Sequence, residues 1–271
     1  MNKKIYFHAD DFGRSQTISK NIYKCIKLKN INSISIMMGF DDSYFDKIKK
    51  NHNINLKLHL NLTESYKGSS LKDNYSFLKL LLLRFNLNFF SHKKKIKAEI
   101  EKQIIFFKKK FKVNKIKIDT HEHVHIIPWI NELLLNLKKK HKIIELRDPI
   151  ENYYFVNLKD FFNINYLNNL IKFLLIYFLR KFHNKNKRSE LINTSFTGLF
   201  YTGFQDFKSI SKGIYHNIRD NKHLEVLIHP GYTNASEINL FKRKYFLYYS
   251  SKNRIKEYKI ASSKKIKKIL I

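Results

Sequence analysis

Short runs of apolar and β-branched residues recur at 4–9, 33–38, 55–61, 115–119, 143–146, 191–196 and 224–229. Each is the length of a strand and is bounded by polar or turn-forming residues. Between most of them, lysine-rich stretches place apolar residues three and four apart, which predicts amphipathic helices, most clearly over 15–29, 93–111, 129–140, 158–182 and 255–269. Strands alternating with helices imply a parallel sheet joined by crossovers. About seven strands in a chain of 271 residues favour an α/β fold of the (β/α) barrel type, incomplete or distorted. No repeat, low-complexity linker or composition break divides the chain, so residues 1–271 are expected to form one domain. Excursions near 65–93 and 150–190 are placed to cap one end of the barrel, where long loops decide substrate choice.

Polar residues of chemical interest gather where these runs end. Asp10 and Asp11 close the first run, His59 the third, Asp119 and His121 the fourth, and His229 the last. Active sites of parallel α/β folds lie at the C-terminal strand ends, so these residues are expected to converge. Neighbouring strand residues point to opposite sides, which would let Asp10 and Asp11 serve different tasks. Gly13 permits a tight exit turn and Ser15 is a helix N-cap candidate. In Leu58-His59-Leu60-Asn61, His59 shares one face with Lys57 and Asn61 while the leucines take the other. Extended backbone over 119–125 would align Asp119, His121, His123 and His125, and three imidazoles so close together are costly to bury without a metal or a proton-transfer task. In His229-Pro230-Gly231, proline stops the strand and glycine allows a sharp turn, which would fix His229 at the sheet edge.

Composition narrows the field. The net charge of +31 suggests a polyanion partner, yet the basic residues are spread along the whole chain. The excess of Lys, Asn, Ile, Phe and Tyr over the 7 glycines and 3 prolines matches AT-rich codons. No specific nucleic acid is therefore expected. The sole cysteine, Cys25, excludes an intramolecular disulfide and a cysteine-based zinc cluster. The first residues lack the apolar core of a secretory signal, so a cytoplasmic location is expected. Two apolar runs, 173–179 and 77–90, fall short of a membrane span. They read as ordinary core helices, although the basic flanks of the first also suit contact with a membrane surface. Homo-oligomerisation is left open.

Taken together, Ala9-Asp10-Asp11-Phe12-Gly13 with Ser15, Leu58-His59-Leu60-Asn61-Leu62-Thr63, Glu99-Ile100-Glu101-Lys102-Gln103, Asp119-Thr120-His121-Glu122-His123-Val124-His125, Arg147 and His229-Pro230-Gly231-Tyr232 resemble the YdjC-like carbohydrate deacetylases of the ChbG and HpnK type. The similarity covers most of the chain, in order and in spacing. It departs at Glu122, where the family usually has histidine, at Lys57, where a small residue is usual, and near Ser195-Phe196-Thr197-Gly198, where an acidic residue is often found. The resemblance implies that Asp11, His59 and His121 bind a divalent metal, Mg²⁺ or Zn²⁺. It further implies that Asp10 is the general base and His229 the acid that protonates the departing amine, with His125 and Arg147 orienting base or substrate. The implied activity is metal-dependent removal of an N-acetyl group from an acetamido sugar, the acetylated carbohydrate being the partner.

Two other readings remain open on sequence alone. One is a cationic module binding nucleic acid or an anionic surface on the same fold. The other is a zinc protease, because His121-Glu122-x-x-His125 matches the His-Glu-x-x-His pattern; that requires a helix, whereas residues 115–118 look like a strand and Pro128 follows closely.

Overall fold

In a computed structural model, the structure describes residues 4–270 apart from 52, 67, 70, 72–74, 184–190, 193 and 220–221. The strands are β1 (Ile5–Phe12), β2 (Ser33–Ile36), β3 (Asn55–Leu60), β4 (Ile116–Thr120), β5 (Ile143–Leu146), β6 (Thr194–Thr197) and β7 (His223–Ile228). They pair in parallel in the order β5-β4-β3-β2-β1-β7-β6. The sheet curls into a half-barrel. Its edge strands β5 and β6 are not paired, although Leu146 N–H donates to Leu191 O just before β6 at 3.0 Å. The α/β barrel-like architecture expected from the pattern is therefore present, open on one side.

Two-residue alternation decides what each face of the curled sheet holds. Phe7, Ala9, Ile34, Ile36, Leu58, Leu60, Ile116 and Ile118 join the main apolar core under the helices. The intervening His8, Asp10, Ser33, Ser35, Lys57, His59 and Asp119 are just as buried, on the concave side. There the charges are paired: Lys57 Nζ donates to Glu145 Oε1 at 2.6 Å and to Glu225, and Arg147 Nε donates to Glu225 Oε1 at 2.6 Å. A buried ammonium at Lys57 is tolerable only with such partners.

The helices that position the site are α1 (Gln16–Lys27), α2 (Phe45–Lys49), α3 (Phe77–Leu82), α4 (Phe89–Phe111), α5 (Pro128–His141), α6 (Ile164–Arg180), α7 (Phe207–Asn217), α8 (Arg243–Tyr249), α9 (Lys252–Ala261) and α10 (Lys264–Leu270). Helix α1 starts at Ser15, whose side chain accepts from Ile18 N–H, and buries Ile18, Ile22, Cys25 and Ile26 along one stripe. The predicted C-terminal helix is split. Asn30 Nδ2 donates to Ala261 O at 2.8 Å and to Ser263 O at 3.0 Å, taking carbonyls at the α9–α10 break. The predicted helix over 158–182 starts late, because Leu158–Phe162 forms a 3-10 turn and Asn163 caps α6 by accepting from Asn165 N–H.

Helix α6 also differs from an ordinary core helix. One face buries Tyr166, Asn169, Ile176 and Leu179, whereas Ile171, Leu174, Leu175 and Phe178 are exposed, as is Phe182 just beyond its end. Among the described residues, no helix is long and apolar enough to cross a membrane.

Candidate active site

Strand β1 carries its two carboxylates into the same cleft. The β1–β2 register shifts between Ala9 and Phe12, and Asp11 takes φ 69°. That irregularity re-aims Asp11, so the expected opposite orientation of Asp10 and Asp11 is replaced by a shared one. Gly13, at φ 89°, follows immediately; a Cβ there would lie 2.7 Å from Met37 O.

Asp11, His59 and His121 form a compact group, each offering a ligand atom within 4.8 Å of the others. Asp11 Oδ1 is 3.5 Å from His59 Nε2 and 3.4 Å from His121 Nδ1. Behind His59, Asp119 Oδ1 accepts from Nδ1 at 2.6 Å, which leaves Nε2 facing Asp11. A carboxylate on the rear nitrogen is the usual way of orienting a ligating imidazole. Two further groups of metal-ligand type, His8-Asp119-Glu225 and Asp10-His59-Asp119, lie beneath it. Both are already engaged by Arg147, which bonds Asp10, Asp119 and Glu225.

The turn after β4 departs most from expectation. Residues 121–126 are not extended: His121–Ile126 is a 3-10 turn with left-handed φ at Glu122 (54°) and His123 (53°). His121 and His123 line the cleft, while His125 turns beneath it. Both nitrogens of His125 are used there, Nδ1 with Thr120 Oγ1 at 2.6 Å and Nε2 with Arg147 O at 2.8 Å. Neither His125 nor Arg147 is among the residues lining the cleft; both sit beneath it, Arg147 bonded to the Asp10 carboxylate and His125 to the Arg147 carbonyl. The zinc-protease pattern fails for the same reason: its two histidines are not on one face of an α-helix.

Burial opposes charge throughout this cluster, and specific partners overcome it. The Arg147 guanidinium, with His59 and His8, holds Asp10 well below the usual carboxylate range despite burial. Hydrogen bonds from His121 and His59, and the charge of Arg254, do the same for Asp11. Burial would depress His59, yet Asp10 and Asp119 raise it to about 9; Asp11 and Glu64 raise His121 to about 10. This negative field suits a cation. His121 Nε2 and Glu64 Oε1 lie 3.1 Å apart in an orientation that leaves both buried atoms without a hydrogen bond. The orphaned atoms, the negative field and the mixed carboxylate–imidazole donor set all fit a divalent metal.

His229 follows β7 and lines the same cleft. Its N–H donates to Glu257 Oε2 at 2.7 Å, and that oxygen stands 3.6 Å from Nδ1. A Cβ at Gly231 would meet Ile18 Cγ2 at 2.6 Å, so glycine lets this turn pack directly on α1.

Several site residues were not singled out from sequence. Arg254 Nη2 reaches Asp11 Oδ2 at 3.2 Å from α9, and Tyr245 and Tyr248 of α8 line the cleft. Arg14 binds Glu64 Oε2 through Nε and Nη2 at 2.9 and 2.7 Å, its guanidinium between the rings of Phe40 and Phe241. Glu64 had a usable signal, standing five positions after His59 at the end of the same polar segment. Arg254 and Glu257 had none, lying in an amphipathic helix rich in charge. The resulting cleft, about 600 Å³, is walled on its outer side by Phe77, Leu78, Leu175 and Ile176.

A family model described as YdjC-like protein matches residues 4–271. A carbohydrate deacetylase of Xenopus laevis is 26% identical over 158 residues, covering 55% of this chain and 51% of that protein. One from Clostridium beijerinckii is 28% identical over 149 residues, covering 52% and 58%. The chain thus spans about half the length of the curated relatives it matches. The crystal structure of a putative cellobiose-phosphate cleavage protein from Enterococcus faecalis superposes with a TM-score of 0.66 at 18% identity, over 99% of this chain and 94% of that one, and shares the fold.

Proposed function

The chain belongs to the YdjC-like family, and on that premise we propose that it is a metal-dependent N-deacetylase that hydrolyses the acetamido group of a sugar, releasing acetate and leaving a free amine. The observation that carries this reading is convergence: Asp10, Asp11, His59, His121 and His229, from the ends of β1, β3, β4 and β7, all line one cleft.

Asp11, His59 and His121 would hold the metal. When bound, such an ion polarises a carbonyl oxygen and acidifies water. Asp10 accepts the proton of the attacking water as the new C–O bond forms. Its carboxylate is fixed for that task by Arg147, by Ser35 Oγ donating at 2.9 Å and by His8 Nε2 at 3.0 Å. His229 gives a proton to the amide nitrogen as the C–N bond breaks, because an amine leaves poorly unless protonated. Glu257 holds the His229 backbone N–H and so the start of that turn. The apolar outer wall and the tyrosines of α8 limit water around the reacting amide.

The test is acetate release from a panel of N-acetylated mono- and oligosaccharides with Mg²⁺, Zn²⁺ or Co²⁺ added. Acetate appearing in step with new amine supports the assignment; no release from any member of the panel overturns it.

A further inference from the structure

Helices α3 and α6 face each other across the cleft and, among the described residues, leave an apolar collar uncovered. Phe77 and Leu81 of α3 pack with Ile176 and Leu179 of α6, and Phe77, Leu78, Leu175 and Ile176 line the cleft itself. From the end of α3 to the start of α4, Leu82, Phe85, Leu87 and Phe90 are exposed, with Phe85, Leu87 and Phe90 at 83%, 101% and 80% exposure. On α6 the exposed residues Ile171, Leu174, Leu175 and Phe178 fall at helical spacing, with Phe182 exposed just beyond its end, forming a second apolar stripe on a helix whose other face is already buried. Clustered exposed aromatic and aliphatic side chains of this size mark a binding surface.

Charge says what covers it. Residues 75–98 and 161–183 contain no Asp or Glu, while Lys79, Arg84, Lys93, Lys172 and Lys181 border the apolar side chains. A second copy of the chain would bring the same cations to the contact and carries the same net +31. An anionic bilayer offers both the apolar interior and the opposite charge. We propose that this collar docks on an anionic lipid membrane, a reading independent of the deacetylase assignment.

Docking is read by co-sedimentation of the full chain with phosphatidylcholine vesicles, with and without phosphatidylglycerol, at low and high salt. The expected result is binding to the anionic vesicles that salt weakens. Combined Leu87→Ser and Phe90→Ser should reduce it at least about tenfold, because the loss of two inserted side chains removes buried apolar area. Lys264→Gln with Lys267→Gln on α10 should change it less than about twofold, because surface cations outside the contact are screened. Both positions of the first pair are exposed, and unchanged thermal melting confirms an intact fold. No binding, or binding indifferent to the Leu87 and Phe90 changes, overturns the docking face. So does a homodimer that the same changes dissociate.

Discussion

Arg147 grips Asp10 through two parallel hydrogen bonds, Nη1 to Oδ2 at 2.9 Å and Nη2 to Oδ1 at 2.7 Å. The fork fixes the plane of the carboxylate as well as its charge, which a lysine cannot do. Arg147→Lys should therefore lower kcat on the order of a hundredfold through a misplaced proton acceptor. It should also move the acid limb of the kcat/KM profile to higher pH, since the guanidinium is the main charge holding Asp10 low. An acid limb that stays put with kcat intact would remove Arg147 as the positioning residue.

The metal group and the proton donor separate in a binding assay. Asp11→Asn and His121→Ala each remove a proposed ligand, so equilibrium dialysis should show loss of one bound divalent ion together with loss of acetate release. His229→Ala should keep the ion and slow turnover about 10²–10⁴-fold, the range of a lost general acid. Full occupancy in the Asp11 and His121 variants would sink the ligand assignment.

The charged barrel interior makes stability depend on acid. Glu225 is fully buried between Lys57, Arg147 and His8, and their charges bring it from 4.5 down to about 2 against the cost of burial. A depressed carboxylate contributes stability above its unfolded value and loses it as pH falls through the folded one. The loss is therefore expected between about pH 4.5 and 2, on the order of 3 kcal/mol. Glu225→Gln should be about 3 kcal/mol less stable at neutral pH, from the cations left underpaired. Its deficit should shrink toward about pH 3, as urea unfolding would register. An undiminished deficit in acid would contradict this account.

What could be read in the chain follows from how local each feature is. Alternation in Leu58-His59-Leu60 places His59 on the concave face without further information, because side-chain direction in a strand is set by the backbone alone. The left-handed φ values at Asp11, Glu122 and His123 could not be read the same way. None is a glycine, and each is held there by its surroundings: the β1 irregularity for Asp11, and for the 121–126 turn the bonds of His125 to Thr120 and Arg147. Arg254 is 243 positions from Asp11, and nothing in α9's composition marks one cation as aimed inward. The break between α9 and α10 likewise depends on Asn30, far off in sequence, capturing the carbonyls that flank it.

Gly13 and Gly203 together separate two costs of replacing a glycine. Both have positive φ, +89° and +87°, so alanine pays the same dihedral strain at each, about 1 kcal/mol. Around Gly203 a Cβ meets nothing within 4 Å, whereas at Gly13 it would sit 2.7 Å from Met37 O and 2.8 Å from Phe45 Cε1. Met37 O is backbone, and Phe45 is wedged between Phe12 and Phe111, so neither yields cheaply. Gly13→Ala should thus cost about 2 kcal/mol more than Gly203→Ala, a difference of several degrees in melting temperature. Gly13 is also tied to the site, its N–H donating to Ser19 Oγ at 3.0 Å and its carbonyl accepting from Asp41 N–H at 2.9 Å, two residues beyond Asp11. Displacement there shifts the β1 exit, so Gly13→Ala should also weaken divalent-ion binding while Gly203→Ala leaves it unchanged. Equal melting shifts with equal ion affinities would show that the end of β1 is softer than its contacts imply.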